Sequence, residues 1–406
     1  MTQVDTLQGQ RRISAGLLFL LGGLAALGAL STNIMLPSFP AIAQALHASP
    51  HGLGLTLSSF FITFALGQLL VGPLSDRLGR RPVVLAGLAV FVAGSAICGL
   101  ADSLALLVAG RVVQALGVCA VSVLARAIAR DLFEGEALTR VLAFTMVIMS
   151  SAPGFSPLIG GLLDTAFGWR AAFVFVGVLS LVVGFMYVSR VGETLPLALR
   201  APSSPGMIAR GYAELLGDWR FSRPALAVSL VIGALYAFFA SAPGLLMGQL
   251  GLSAVQLGVF FALTVLVVFA AGLLSPRLVH RFGVQRVMRA GAGLALAGSG
   301  LLMAWAGSLT LLTFSLAMTV FLFGMGLANP VGTAAALQPF ANRAGLASAL
   351  IGFLQMAMAA GASALALGLP YAASVSLAGV LALATGAALV LFLLPGGRQS
   401  QVQAMR

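Results

Sequence analysis

The 406-residue chain is 60% hydrophobic and carries 22 basic against 10 acidic residues, a net charge of +12. Its mean hydropathy of +1.06 excludes a soluble globular protein, because no soluble core could hide so much apolar surface. No ten-residue pattern of alternating hydrophobicity indicates a β-barrel, so we expect an all-α polytopic membrane protein.

Apolar segments of about 20 residues predict twelve transmembrane helices. The first follows Arg11 and Arg12 and is longer than the apolar core of a signal peptide, so we expect it to be retained. In chain order the predicted spans are 13–36, 52–71, 82–100, 104–127, 141–163, 171–189, 225–246, 255–274, 288–306, 311–331, 346–367 and 372–394.

The longest polar segment, 190–224, divides these spans into two groups of six, and a short surface helix is expected within it at 207–216. We therefore predict a cytoplasmic linker between two six-helix bundles. The predicted organisation is a tail at 1–12, a bundle at 13–189, the linker at 190–224, a bundle at 225–394 and a tail at 395–406.

Every basic residue is an arginine, and with the N-terminus inside, nearly all of them fall on the inner side of the predicted spans. This asymmetry is the positive-inside rule, which predicts that both termini are cytoplasmic. We interpret the charge as a determinant of orientation and not as a nucleic-acid site.

The loop between the second and third spans places four charges within six positions, 76–81. Gly72 would permit a close helix approach, Asp76 would pair with a cation, and Gly79 would supply a positive φ for the turn. A basic turn of any membrane protein would explain the arginines but not their spacing. The pattern resembles the loop signature of the major facilitator superfamily, Gly-x-Leu-x-Asp-Arg-x-Gly-Arg-Arg, with matches at Gly72, Leu74, Asp76, Arg77, Gly79, Arg80 and Arg81.

A degenerate copy of this loop follows 204 residues later, with His280 in the place of Asp76. Chance similarity between two basic turns is the alternative explanation. If the copy is a true repeat, the two halves are parallel and related by an axis along the membrane normal. The matching positions of the second copy are Leu278, Arg281, Gly283 and Gly291, opposite Leu74, Arg77, Gly79 and Gly87.

Arg111 lies within the fourth span, where an ionised side chain is costly and is expected to face a watery cavity or a partner. Gln114 lies one helical turn on, so both side chains can face the same cavity. An arginine that extends its charge to the membrane interface is the alternative. The segment resembles the superfamily's span-four signature, Arg-x-x-Gln-Gly-x-Gly, with Ala115 in place of the middle glycine and Gly117 matched.

The fifth span contains Pro153, Pro157, Gly160 and Gly161. Proline removes a helix hydrogen bond and bends the axis, while paired glycines let a neighbouring helix pack closely. The segment resembles the exporter signature Gly-Pro-x-x-Gly-Gly, with Ser156 replacing the first glycine. The resemblance implies a hinge and sliding surface, although the same residues would also serve simple packing.

Four further segments resemble the bicyclomycin and chloramphenicol resistance branch of the drug/proton antiporters. They are 36–43, 126–133, 168–170 and 339–355. The resemblance implies an exporter in the bacterial inner membrane that moves amphipathic, drug-like molecules outward against proton entry, and we expect the protein to be a monomer. It implies neither a cofactor nor a metal nor a nucleic-acid partner.

One position departs from that branch, because Asn33 stands where the branch carries an aspartate that could carry protons. Asparagine does not titrate, and no acidic residue falls at the centre of a predicted span. Three interpretations follow: coupling uses Asp76 or Asp131, the sequence carries an engineered Asp-to-Asn change, or the protein is not proton-coupled.

Within this family interpretation, spans one, four, seven and ten are expected to line a central cavity, since sparse polar groups among aromatic walls suit amphipathic drugs. The candidate cavity residues are Asn33, Met35, Arg111, Gln114, Tyr236, Phe239 and Gln355. The candidate coupling and gating residues are Asp76, Arg77, Arg80, Arg81, Arg111 and Asp131, and the candidate hinge and packing residues are Gly72, Gly79, Pro153, Pro157, Gly160 and Gly161.

Other functions fit the sequence less well. A transporter of a specific metabolite is the nearest alternative, but a sugar site should offer carboxylates and amides, in which this membrane interior is poor. A channel would not require hinge prolines and glycines. A membrane-embedded enzyme would need a concentrated set of reactive groups, and His47, His51 and His280 are few and fall in loops.

Overall fold

The computed structural model describes residues 14–200 and 205–394, and within these ranges the chain is helical and contains no strand. The helices are α1 (Ala15–Asn33), α2 (Phe39–Ala45), α3 (Pro50–Leu78), α4 (Arg80–Gly99), α5 (Leu104–Leu132), α6 (Gly135–Phe167), α7 (Arg170–Arg190), α8 (Pro205–Gly217), α9 (Trp219–Ala242), α10 (Ala254–Phe282), α11 (Val284–Ala304), α12 (Leu311–Leu337), α13 (Ala344–Gly368) and α14 (Ala373–Leu393). Short helical turns lie at Leu36–Ser38, Leu197–Leu199, Pro243–Gln249 and Gln338–Arg343.

Eleven helical stretches in the described ranges are long and apolar enough to cross a membrane. The stretch Leu311–Gly368 contains both α12 and α13, which brings the number of transmembrane helices in these ranges to twelve. The expected all-α membrane fold is therefore confirmed. Helices α1 and α3 to α7 form the first half, and α9 to α14 form the second.

The connection between the halves differs in one respect from the expectation. Helix α8 lies where a short surface helix was expected, but α9 begins at Trp219 rather than at 225. The carboxylate of Asp218 accepts a hydrogen bond from the backbone N–H of Arg220 over 2.9 Å and so caps α9. Arg220 and Arg223, which the sequence placed in the linker, therefore belong to the first turns of this helix.

The internal repeat is visible in the backbone. Gly79 has φ 98° between α3 and α4, and Gly283 has φ 84° between α10 and α11. Both residues occupy the left-handed region that favours glycine, which confirms the turn expected at Gly79. A Cβ at Gly87 would lie 2.8 Å from the carbonyl oxygen of Gly117, and one at Gly291 would lie 2.7 Å from that of Gly324. Equivalent helix pairs in the two halves thus pack through equivalent glycines.

The two halves meet along two pairs of helices, α6 with α10 and α3 with α13. We call the end of the molecule that holds α8 and the α3–α4 turn the linker side, and the opposite end the far side. At the far side the end of α6 packs on the start of α10, since a Cβ at Gly161 would lie 2.5 Å from the carbonyl oxygen of Ala254. Gly258 packs equally closely on the backbone of Leu158. At the same end α3 meets α13, since a Cβ at Gly54 would lie 2.8 Å from Cδ1 of Leu367. The far side is therefore closed along both helix pairs.

Candidate functional site

A cavity of about 560 Å³ lies between the two halves and is walled by α1, α3, α5, α6, α9, α10, α12 and α13. Its lining includes Arg130, near the end of α5 that points to the linker side. Most of the wall is aliphatic or aromatic. Hydroxyl and amide groups are scattered over it, and they belong to Thr32, Gln68, Ser122, Thr145, Ser150, Tyr236, Thr264, Asn329, Thr333, Ser348 and Gln355.

Aromatic rings connect the two halves within the cavity wall. The ring of Phe61 on α3 meets that of Tyr236 on α9 edge to face, with centroids 4.6 Å apart. Tyr236 lies in turn 5.8 Å from Phe239, whose ring is 5.3 Å from that of Phe261 on α10. Such edge-to-face pairs add attraction beyond the area they bury, so this cluster holds α3 against α9 and α10.

Three of the predicted cavity residues, Tyr236, Phe239 and Gln355, lie in the cavity wall. Asn33 and Met35 are fully buried near the end of α1 and do not line the cavity. The amide nitrogen of Asn33 donates to the carbonyl oxygen of Ala29 over 2.7 Å, while its Oδ1 has no partner among the described residues.

Arg111 and Gln114 also lie behind the cavity wall instead of in it. The guanidinium carbon of Arg111 is 4.2 Å from the centroid of the Phe60 ring, which itself lines the cavity. Arg111 Nη1 donates to the carbonyl oxygen of Ser31 over 3.1 Å and to Oε1 of Gln114. Gln114 Nε2 donates to Ser95 Oγ over 2.8 Å. The buried arginine is therefore satisfied in part by α1 and α5 themselves.

Arg111 keeps unused hydrogen-bonding capacity. Its Nε and Nη2 atoms have no partner among the described residues, and no carboxylate pairs with it there. A buried cation in this state is expensive, which indicates that it is retained for a purpose other than stability.

The charged loop forms a network with two other segments on the linker side. Arg80 Nη1 donates to Asp76 Oδ1, and Arg80 Nε donates to Asp131 Oδ2 at the end of α5 over 3.2 Å. Thr194, which follows α7, donates its hydroxyl to the same oxygen of Asp131 over 2.9 Å. Arg77 and Arg81 have exposed side chains. The structure thus joins Asp76, Arg80 and Asp131, three of the predicted coupling residues.

Glu193 completes this network by capping α4. Gly79 stands at the N-cap of α4, and because it has no side chain it offers no acceptor to the first backbone N–H groups of that helix. The carboxylate of Glu193 accepts hydrogen bonds from the backbone N–H groups of Arg80 over 2.8 Å and of Arg81 over 3.2 Å, and Arg200 lies 3.4 Å away. Orphan N–H groups at a helix start are thereby satisfied from a distant part of the chain.

The predicted hinge residues have different surroundings. Pro153 lines the cavity, and Pro157 is buried within α6. Gly160 packs so closely on the carbonyl of Ile34 that a Cβ would overlap it, and Gly161 contacts α10 as described above. The expectation that Gly72 allows a close approach of another helix is wrong, because a Cβ at this position would meet nothing within 4 Å.

The sequence interpretation missed two charged residues of the cavity wall, Arg126 and Arg130. Both lie on α5 in a segment noted only for its family resemblance. With Ser122 they form a polar row at a spacing of four residues on an otherwise apolar helix, and this spacing places them on one face. That periodicity is the signal that could have revealed them.

Comparison with known proteins places the chain among transporters. Residues 20–365 match the family model described as Major Facilitator Superfamily. The chain is 32% identical over 349 residues to multidrug resistance protein D of Escherichia coli (strain K12), with 85% of this chain and 87% of that protein covered. It is 31% identical over 345 residues to a chloramphenicol resistance protein of Pseudomonas aeruginosa, covering 83% and 80% respectively. A solved peptide transporter structure superposes with a TM-score of 0.76 at 15% identity, covering 97% of both chains.

Proposed function

This chain belongs to the major facilitator superfamily, and we propose that it exports amphipathic drug-like molecules by alternating access, in exchange for protons. The observation that carries the proposal is the cavity between the halves. Its wall is mainly apolar and aromatic, with scattered hydroxyl and amide groups and two arginines, and it is closed at the far side. A site of this composition suits amphipathic molecules of several shapes. The relatives named for multidrug and chloramphenicol resistance support the same substrate class.

We place the linker side in the cytoplasm of a bacterial cell and both termini with it. The arginines of the α3–α4 turn, of α8 and of the α10–α11 turn support this orientation, since cytoplasmic loops are enriched in arginine. The conformation described above is then closed to the outside. The cavity is formed within one chain, and we propose that the protein works as a monomer.

Transport requires the far side to open while the linker side closes. Gly161 and Gly258 allow α6 and α10 to meet backbone to backbone without bulky side chains between them. A contact of this kind separates by rigid-body movement of the two halves without unpacking a core. Pro153 and Pro157 weaken the helix hydrogen bonding of α6, which lets this helix bend during the movement.

For the proton we propose the carboxylates that share Arg80. No carboxylate occurs among the described residues that line the cavity. Asp76 and Asp131 both contact the Arg80 guanidinium, so a proton on either of them weakens the network that ties the ends of α3, α4 and α5. A second candidate, an exporter without proton coupling, is favoured by Asn33, which cannot titrate.

The proposal is tested by transport into proteoliposomes with an imposed pH gradient, with chloramphenicol as substrate. Gradient-driven movement by the unaltered protein, abolished by a protonophore, is the expected result. Movement that appears only with Asn33→Asp would support the uncoupled exporter. Absence of chloramphenicol movement in both proteins, with and without a gradient, would contradict drug export.

A further inference from the structure

Two arginines in the cavity wall have no counter-charge among the residues that the structure describes. Arg126 and Arg130 both line the cavity. In the parts of the chain that the structure describes, neither side chain forms an ion pair or a hydrogen bond. Carboxylates are also lacking among the described residues of the lining. The cavity therefore carries two unneutralised positive charges.

Other arginines on the linker side do have acidic partners. Arg80 pairs with Asp76 and Asp131, and Arg140 pairs with Glu136 over 2.8 Å. Asp131, which directly follows Arg130 in the chain, is committed to Arg80 and Thr194. The carboxylate nearest in sequence to the two cavity arginines is thus held in the network around the α3–α4 turn.

Arg126 is half-buried, whereas Arg130 is exposed. An unpaired, half-buried charge beside an apolar wall is costly, so Arg126 is expected to take an anionic partner from outside the chain, and Arg130 can contact the same partner. Guanidinium groups present planar sets of N–H donors that match carboxylate, sulfonate and phosphate oxygens. One helical turn separates the two residues, which places both on the same face of α5, where both can contact one anionic group.

We propose that the cavity selects amphipathic organic anions. The anionic group binds Arg126 and Arg130 at the linker side, and the apolar body lies against Phe61, Tyr236 and Phe239. The same two charges repel amphipathic cations. This inference rests on the proposed function, because it names the substrate class of the same cavity.

Three compounds that share one fluorescent ring system test the inference. They are dansylate (an anionic sulfonate), dansylamide (neutral) and dansylamidoethyl-trimethylammonium (cationic). We measure counterflow into proteoliposomes that are preloaded with the unlabelled compound. Equal pH on both sides removes the proton gradient, and vesicles of phosphatidylcholine contain no anionic lipid that could compete for the arginines. We expect dansylate to exchange at least about tenfold faster than the cation, since a hydrogen-bonded charge pair contributes about that factor or more.

Variants of the two arginines assign the selectivity to the cavity. Arg126→Gln and Arg130→Gln are each expected to lower the dansylate-to-dansylamide rate ratio about tenfold. Arg126→Lys keeps the charge and should retain part of the ratio of the unaltered protein. The matched control is Arg140→Gln, at an exposed arginine of α6 outside the cavity, for which the ratio is unchanged. Binding of the neutral dansylamide to each variant in nanodiscs, followed by its fluorescence, shows whether that variant still folds, and dansylate binding measures the anion preference.

The outcomes separate this inference from the function on which it rests. Chloramphenicol counterflow measures the proposed export activity in the same vesicles. If chloramphenicol exchanges but the cation moves as fast as dansylate, or the rate ratio survives both Arg→Gln changes, the anion inference is overturned and drug export stands. If dansylate binds in nanodiscs with the expected preference but no compound exchanges, the anion site stands and export is contradicted.

Discussion

Arg80, the first residue of α4, donates a hydrogen bond from Nε to Oδ2 of Asp131 at the end of α5 over 3.2 Å. The same guanidinium contacts Asp76 near the end of α3. One cation therefore holds the linker-side end of α5 against the turn between α3 and α4, although Asp131 lies 51 residues after Arg80. If α5 moves relative to α3, the contact between Arg80 and Asp131 either breaks or moves with α5. This contact is therefore suited to control the transport cycle.

Asp131→Asn imitates the protonated carboxylate and is expected to weaken the hold of Arg80 on α5. If the carboxylate of Asp131 takes part in coupling, the variant should move chloramphenicol at the same rate with and without an imposed proton gradient, whereas the unaltered protein should move it faster with the gradient. Efflux from preloaded proteoliposomes measures both rates. Asp102→Asn, at an exposed aspartate between α4 and α5, is the control. A gradient dependence in Asp131→Asn equal to that of the unaltered protein would remove Asp131 from the coupling mechanism.

Glu193→Gln is expected to reduce stability in a pH-dependent way. Partial burial by itself raises the pKa of the Glu193 carboxyl, but hydrogen bonds from the backbone of Leu195, Arg80 and Arg81 and the charge of Arg200 lower it overall. A lowered pKa in the folded state contributes stability above the unfolded value of 4.5, and this contribution disappears as the pH falls through the folded value.

The loss in Glu193→Gln at pH 7 should be about 1 kcal/mol, as for loss of a helix cap. The difference from the unaltered protein should shrink when thermal unfolding is followed down to pH 4. Glu136→Gln provides a comparison, since that carboxylate is 87% exposed and is expected to change stability little. A deficit that stays constant with pH would show that the charge of Glu193 is irrelevant.

Gly161→Ala is expected to shift the protein toward a conformation that is open at the far side. The added Cβ would lie 2.5 Å from the carbonyl oxygen of Ala254, which the closed arrangement of α6 and α10 cannot accommodate. Spin labels on Phe167→Cys and Val259→Cys, both exposed residues near the far side, should show a longer distance distribution in the variant.

Gly272→Ala serves as the control for that experiment, because a Cβ at this position of α10 would meet nothing within 4 Å. Alanine is the better helix former by about 1 kcal/mol, so this control should be as stable as the unaltered protein or more so, with an unchanged label distance. If the two glycine variants gave the same distances, the contact at Gly161 would not govern closure.

Arg111→Met is expected to abolish transport without lowering stability. The guanidinium is fully buried and lacks a carboxylate partner among the described residues, so its desolvation is not repaid by a counter-charge and an apolar side chain there is not expected to cost stability. Thermal unfolding and chloramphenicol counterflow together measure the two effects.

Arg170→Met, at an exposed arginine, is the control for loss of an arginine outside the transport site. Arg170 also lies 4.2 Å over an aromatic ring, that of Trp169, and donates to a backbone carbonyl, that of Ala101, but it is remote from the cavity. Transport should persist in this control. A strong loss of stability in Arg111→Met with activity retained would make Arg111 a structural residue.

The sequence by itself determined the membrane class and the membrane-spanning segments and indicated the repeat, because these depend on local properties. Apolar length specifies a span, and a turn that needs a positive φ specifies glycine, as at Gly79 and Gly283. The error at the start of α9 has a local cause as well, since the Asp218 cap lies outside the apolar segment.

Only the tertiary structure decided which polar residues face the cavity. Both Arg111 and Arg126 lie on α5, yet the first is buried against α1 and Phe60 and the second lines the cavity. Transmembrane helices are apolar toward lipid and toward one another, so hydrophobic periodicity does not distinguish a lipid face, a packing face and a cavity face. How each helix is rotated within the bundle makes that distinction, and it is set by close contacts such as Gly87 with Gly117, between residues distant in sequence.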